Sequence, residues 1–179
     1  GGPRWYAGDL RVHSRESGDA KPPLAEIAAL ARSRGLDFVE ISDHNTLSQL
    51  EFFAAAQAAQ PDLLFVPGSE FTTYAGHANA IGATRWVDFR VGSADPAVTV
   101  DAITAAVMSQ GAVFSINHPV LNLGDVCIGC SWSLSEPAGS VGVARLRRPR
   151  QPAGRIFGGG NRGRTGSNVR AVHHAFGCK

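Results

Sequence analysis

Phe38-Val39-Glu40-Ile41-Ser42-Asp43-His44-Asn45-Thr46-Leu47-Ser48-Gln49 is the stretch on which the reading of this chain turns. Its apolar start over residues 38–42 has the composition of a short buried strand. Asp43 and His44 follow at the end of that strand. Thr46, with Gln49 three residues later, resembles a capping box that opens a helix running to Ala59. Strand, polar pair and helix together make one β-α unit whose reactive side chains sit at the C-terminal end of the strand.

The same unit repeats on either side. Residues 5–12 form a short apolar-rich run ending at His13. After the polar loop 14–23 comes a helix over 24–34, with Leu24, Ile27, Ala28 and Ala31 on one face and Gly35 as its stop signal. Downstream, the strand 63–66 leads through Pro67-Gly68-Ser69-Glu70 into an extended stretch. A strand over 77–82, a helix over 99–110 closed by Gly111 and a strand over 112–117 ending at His118 complete the pattern. Alternation of this kind favours a parallel sheet or barrel.

At 179 residues and 44% hydrophobic content the chain fits one globular domain. Its net charge of +2 hides an asymmetry. Residues 1–132 hold 8 Lys and Arg against 14 Asp and Glu, whereas residues 133–179 hold 9 against 1. The first part alternates strands and helices, and the second is a run of Arg, Gly, Ser and Pro without a period. A boundary near 132 follows, with an irregular tail expected beyond it. The chain has no initiator Met, secretory leader or bilayer-length apolar run, so it reads as cut from something longer that does not span a membrane. Three cysteines without regular spacing give no disulfide framework. The compartment stays open, with the cytoplasm slightly favoured.

His13, Asp43 with His44, Glu70 and His118 each fall at or just after a strand end, the edge where β/α barrels build their sites. A lone histidine of this kind is more often a core or loop residue than a ligand. Their joint placement points to a shared rim. Histidines with carboxylates and no cysteine suit Zn, Mn or Fe better than a thiolate-bound structural ion. The chain has no Gly-x-Ser-x-Gly elbow, Walker loop or dinucleotide fingerprint, which leaves metal-assisted attack by water without a competitor.

These residues carry a family resemblance. Gly8-Asp9-Leu10-Arg11-Val12-His13-Ser14 resembles the Gly-Asp-Leu-His-x-His-Thr/Ser opening of PHP (polymerase and histidinol phosphatase) domains. Ile41-Ser42-Asp43-His44-Asn45-Thr46 resembles their second motif. Pro67-Gly68-Ser69-Glu70 with Gly76-His77-Ala78-Asn79 resembles the third, and Ile116-Asn117-His118-Pro119 the next. The Gly-x-Glu-x-Thr and Gly-His-x-Asn patterns look most like the CehA/McbA branch of ester and carbamate hydrolases.

The resemblance implies an α/β fold, a distorted TIM-like (β/α)7 barrel that is partial here because the C-terminal end is missing. It also implies two or three divalent metals. Glu70 would bridge two, His13 would ligate the first, His77 and His118 the second, and Asp19 with His44 a third, though Asp19 is equally a solvated loop carboxylate. Asp43 and Asn45 would orient ligand histidines, though each is equally a helix-entry residue. The substrate would be a small phosphoester, or a carboxylic or carbamate ester.

Two features depart from the family. Arg11 stands where the family has the leading His of its pair, and a guanidinium offers no lone pair to a metal. The first metal position is then crippled or absent; alternatively Arg11, a candidate catalytic residue with Asp43, is a cation that takes the place of the lost metal and pairs with Glu70 or a substrate anion. The late Asp-x-His-like pair is also missing, since His173-His174 are adjacent. The tail 133–179 is expected to be disordered, truncated or out-of-frame sequence.

Two further readings compete. Cys127-Ile128-Gly129-Cys130 lacks a helix N-terminus for redox work and a second pair for structural zinc, so loop cysteines are expected. Arg147-Arg148-Pro149-Arg150 and the Gly-Arg run at 158–164 resemble arms that contact polyanions by charge. Only Phe157 and Phe176 interleave, so nucleic acid is disfavoured as a partner. A third possibility is a metal-binding relic without turnover. The sequence does not set the oligomeric state.

Overall fold

The computed structural model describes residues 5–135, 137, 142–144 and 170–171, which form two four-stranded sheets. The basic tail lies otherwise outside the described residues, as do His173 and His174.

The first sheet has the order β3-β2-β1-β8, all parallel: β1 (Ala7–Val12), β2 (Phe38–Ile41), β3 (Leu64–Pro67) and β8 (Arg170–Ala171). Helix α1 (Leu24–Ser33) buries the face expected of it, Leu24, Ile27, Ala28 and Ala31. That face packs on Val39 and Ile41 of β2 and on Leu63 and Phe65, with Phe53 and Ala56 of α2 (Phe53–Ala59) beside them. Crossover helices are the usual cover for the face of a parallel sheet.

The second sheet has the order β4-β5-β6-β7: β4 (Glu70–Thr73), β5 (Gly76–Ile81), β6 (Val113–Asn117) and β7 (Gly142–Ala144). Here the expected parallel repeat breaks down. β4 pairs antiparallel with β5, and β5 antiparallel with β6. The cause is local: only Tyr74 and Ala75 separate β4 from β5, and a two-residue connection can form only a hairpin. No closed barrel forms among the described residues. Helix α3 (Val100–Met108), capped by the Thr99 side chain accepting from Ala102 N, covers this sheet with Ile103 and Val107 against Phe114, Ile116 and Phe71.

The expected capping box also fails. Thr46 Oγ1 accepts from Ser48 N, but residues 48–52 form a 3-10 turn before α2 begins. Gln49, fully buried, donates instead from Nε2 to the Gly68 carbonyl at 2.7 Å, so it holds the exit of β3.

Alternation along the strands sets the interior. Phe71, Ala78, Ala80, Phe114 and Ile116 face α3. Their neighbours Glu70, His77, Asn79 and Asn117 are also buried, and by the period of two they occupy the opposite face. From the first sheet, Asp9, Arg11 and Glu40 meet that face: Asn79 Nδ2 donates to Glu40 Oε2 at 2.9 Å, and Arg11 reaches Glu70. The two sheets thus enclose a polar layer between two apolar ones. They join where Glu70 N donates to the Asp43 carbonyl and Asn45 N to the Glu70 carbonyl.

Gly68 permits this joint, because a Cβ there would overlap Glu40 Oε1 and crowd the Ala80 carbonyl. Gly68→Ala is expected to cost about 1–3 kcal/mol through overpacking, read as a lower urea midpoint. An unchanged midpoint would mean that the crossing is looser than described.

Candidate metal centre

Glu70 is fully buried, and each of its carboxylate oxygens meets a different set of groups. On Oε2, Arg11 donates from both Nε and Nη2 at 2.9 Å, and His13 Nε2 lies at 2.8 Å. His44 Nδ1 stands 3.6 Å from the same oxygen. On Oε1, Asn117 Nδ2 donates at 2.8 Å, while His77 Nδ1 and His118 Nε2 stand off at 3.6 and 3.7 Å. His13 follows the end of β1, His44 lies just beyond β2, and His118 follows β6, whereas His77 projects from the start of β5. Asn45 and His118 are the two non-glycine described residues with positive φ, at 52° and 29°, so the backbone is strained at this rim.

Protonation differs between the two flanks. His13 stands between carboxylates, with Nδ1 3.0 Å from Asp19 Oδ2. Burial alone would lower its pKa, but the Glu70 hydrogen bond and charge outweigh that and raise it. Both ring nitrogens then carry protons, because an ionised carboxylate only accepts. Burial lowers the pKa of His44, whose Nδ1 meets the Thr72 hydroxyl. Burial would likewise raise the pKa of Glu70, yet the facing His118, His13 and His77 and the Arg11 charge hold it well below the carboxylate range. Asp19 is lowered too: its own burial opposes this, but Ser17 and His13 prevail.

The Oε1 flank is arranged differently. His118 Nδ1 meets the Cys130 carbonyl at 2.8 Å, and a carbonyl can only accept, so Nδ1 carries the proton. A proton on Nε2 faces Glu70 Oε1, and once that proton is lost the Nε2 lone pair is open to a cation shared with the carboxylate. His77 is 4% exposed, and neither of its ring nitrogens has a hydrogen-bond partner. Buried polar atoms left in this way are costly. Ligands about 2.0–2.2 Å from a tetrahedral ion stand roughly 3.4 Å apart, close to the separations of His77 and His118 from Glu70. The ligand atoms of Glu70, His77 and His118 all lie within 4.8 Å of one another, as do those of His13, His44 and Glu70. The donor set fits a divalent cation on the Oε1 flank. On Oε2 the Arg11 guanidinium already holds the oxygen a second ion would need.

The six residues expected to ligate metal therefore converge, with His44 grouped beside His13 and Asp19 within 3.4 Å of His44 Nε2. Asp43 differs from expectation. Its carboxylate accepts from Ser14 N and Ser14 Oγ at 2.5 and 2.6 Å, so it fixes the loop after His13 rather than orienting a ring. Burial raises its pKa against the Ser14 bonds. Asn45 acts at one remove, bonding the backbone of Thr72 whose hydroxyl meets His44.

The reading of the sequence missed an inner chain. Asn117 Nδ2 also donates to Asn79 Oδ1 at 2.7 Å, and Asn79 in turn donates to Glu40. The signal was present as the alternate polar residues His77 and Asn79 in β5 and Ser115 and Asn117 in β6. Glu40 is fully buried, and that burial raises its pKa well above the ordinary value despite the Asn79 bond.

No protein-family model matches the chain, and no curated protein matches it in sequence. Solved structures do. A two-domain protein from Bacteroides vulgatus containing a predicted PHP-like metal-dependent phosphoesterase is 21% identical with a TM-score of 0.51, over 70% of this chain and 38% of that one. A candidate metal-dependent phosphoesterase from Bifidobacterium adolescentis is 17% identical with a TM-score of 0.47, over 70% of this chain and 73% of that one. The first likeness is one of fold. The chain spans little more than a third of that first relative. No helix among the described residues is long and apolar enough to cross a membrane.

Two stability measurements follow. Arg11→Met leaves a buried carboxylate short of its cation and is expected to cost about 2–5 kcal/mol in chelator, measured by urea unfolding; a cost near zero would mean Glu70 does not depend on Arg11. Glu40 binds its proton more tightly folded than unfolded, so its contribution is complete below 4.5 and is lost as pH rises through the raised value. Glu40→Gln should therefore gain on the wild type between pH 5 and pH 8, whereas parallel profiles would show Glu40 ionising without cost.

Proposed function

We propose that the chain is the metal-binding part of a hydrolase of small phosphoesters related to PHP domains, with Glu70, His77 and His118 holding one divalent cation. The observation that carries this reading is His77, buried with both ring nitrogens unbonded beside a carboxylate oxygen and a second imidazole. The imidazole and carboxylate donor set suits Zn, Mn or Fe.

A cation bound there supplies Lewis acidity and activates water for attack on the ester. The chain's own residues do the rest. Arg11 and His13 place two positive charges on the outer flank of Glu70. Arg11 is one-quarter exposed, so its N–H groups not used on Glu70 can take a non-bridging phosphate oxygen. Asp43, through Ser14, holds the loop that carries His13 in place. A carboxylic or carbamate ester, the alternative substrate class, offers no anion for this flank to bind.

Elemental analysis after loading with Zn or Mn is expected to find about one ion per wild-type chain and little in Glu70→Ala. Arg11→His, which restores a lone pair on Oε2, is expected to raise the stoichiometry towards two. The loaded wild type should turn over p-nitrophenyl phosphate in preference to p-nitrophenyl acetate. Metal bound without turnover of either would leave a relic in place of the hydrolase.

A further inference from the structure

Cys127 and Cys130 form a disulfide beside His77, and the potential ligand atoms of the three residues lie within 4.8 Å of one another. This corrects the expectation of unpaired loop cysteines. The missing third partner comes from 50 residues upstream, on β5, and so was invisible in the local motif.

The loop that carries the pair is firmly seated. His118 Nδ1 donates to the Cys130 carbonyl, Trp132 N to the Pro119 carbonyl at 2.9 Å and Ser133 N to the Ala75 carbonyl at 2.7 Å. Gly129, with φ of 79°, passes so close to the Thr73 carbonyl that no side chain would fit. Cys130 is 5% exposed and Cys127 half-buried. Two thiols three residues apart, with a buried imidazole whose nitrogens lack partners, form the donor set of a soft site.

We propose that reduced Cys127 and Cys130 form, with His77, a second metal site, a Cys2His pocket for a thiophilic divalent cation such as Zn2+, and that the disulfide is its closed state. Opening and closing proceed by thiol–disulfide exchange with a small-molecule disulfide of the oxidised glutathione class. The protein dithiol and one such disulfide give the protein disulfide and two small thiols. Any bound ion leaves, because the sulfur electron pairs that held it are lost to the new S–S bond. His77 is common to this pocket and to the Glu70 centre. The reduced pair therefore competes with Glu70 and His118 for His77, and oxidation returns it to them. The competition rests on the metal-binding reading above; the thiolate pocket itself does not.

The test uses the full chain with Co2+ as probe, reduced with a phosphine or oxidised, in a Cys178→Ser background that removes the third cysteine. Reduced protein should show a thiolate-to-cobalt charge-transfer band with one equivalent of Co2+, and oxidised protein should show none. Cys127→Ser, at the half-exposed position, should lose most of the band, and His77→Asn should weaken Co2+ binding at least tenfold. Glu70→Gln should keep the band, which separates failure of this pocket from failure of the Glu70 centre. No band in the reduced protein, or a band indifferent to His77→Asn in a folded variant, overturns the proposal.

Discussion

A fully buried carboxylate, Glu70, is the constraint around which the rest is arranged. An ionised group in a dry interior is tolerable only if charges and donors surround it. Here they come from separated segments: Arg11 and His13 from the first strand, His44 beyond the second, His77 from the fifth, and Asn117 and His118 from the sixth. Each must arrive at the right register, because sliding a strand by one residue would exchange its inner polar face for its outer apolar one. The need to satisfy Glu70 therefore selects the register of both sheets at once.

That selection extends inward through two amides. Asn117 donates to Glu70 and to Asn79, and Asn79 donates to Glu40 and to the Leu10 carbonyl. A layer of polar side chains between two sheets costs more than an apolar one unless nearly all its members are paired. The chain of asparagines makes it affordable, and it binds the first sheet to the second through side chains, beside the backbone joints at Asp43, Asn45 and Glu70 and from Gly82 N to the Pro67 carbonyl. Both ring nitrogens of His77 are left unbonded beside Glu70, where a ligand rather than the fold would complete them.

Much of this was legible in the sequence because local rules decided it. The buried face of α1, the position of α3 and the strands whose ends precede His13, His44 and His118 all follow from periodicity and punctuation within ten or so residues. The misreadings share a different cause. Thr46 and Gln49 have the spacing of a capping box, but Gln49 found a better acceptor at Gly68, nineteen residues away. Asp43 stands beside a histidine in sequence and bonds Ser14, twenty-nine residues away. The alternation of strands and helices suggested parallel pairing throughout, while a two-residue turn imposed a hairpin. In each case a tertiary partner outcompeted a local motif, which no window of sequence can reveal.

Arg11 is where the physics of the centre departs most from a symmetrical two-ion arrangement. A guanidinium supplies one positive charge and fixed hydrogen-bond geometry, whereas a divalent ion supplies two charges and an open coordination position. Placing Arg11 on Oε2 keeps Glu70 ionised without any metal, so the fold does not depend on metal for this flank. It also makes the two oxygens of one carboxylate unequal: Oε2 is neutralised by covalently tethered cations, and Oε1 faces imidazoles that can accept an exchangeable one. An arrangement of that kind separates the holding of the fold from the holding of the ion, and it leaves His77, the ligand with fewest other commitments, as the residue on which occupancy turns.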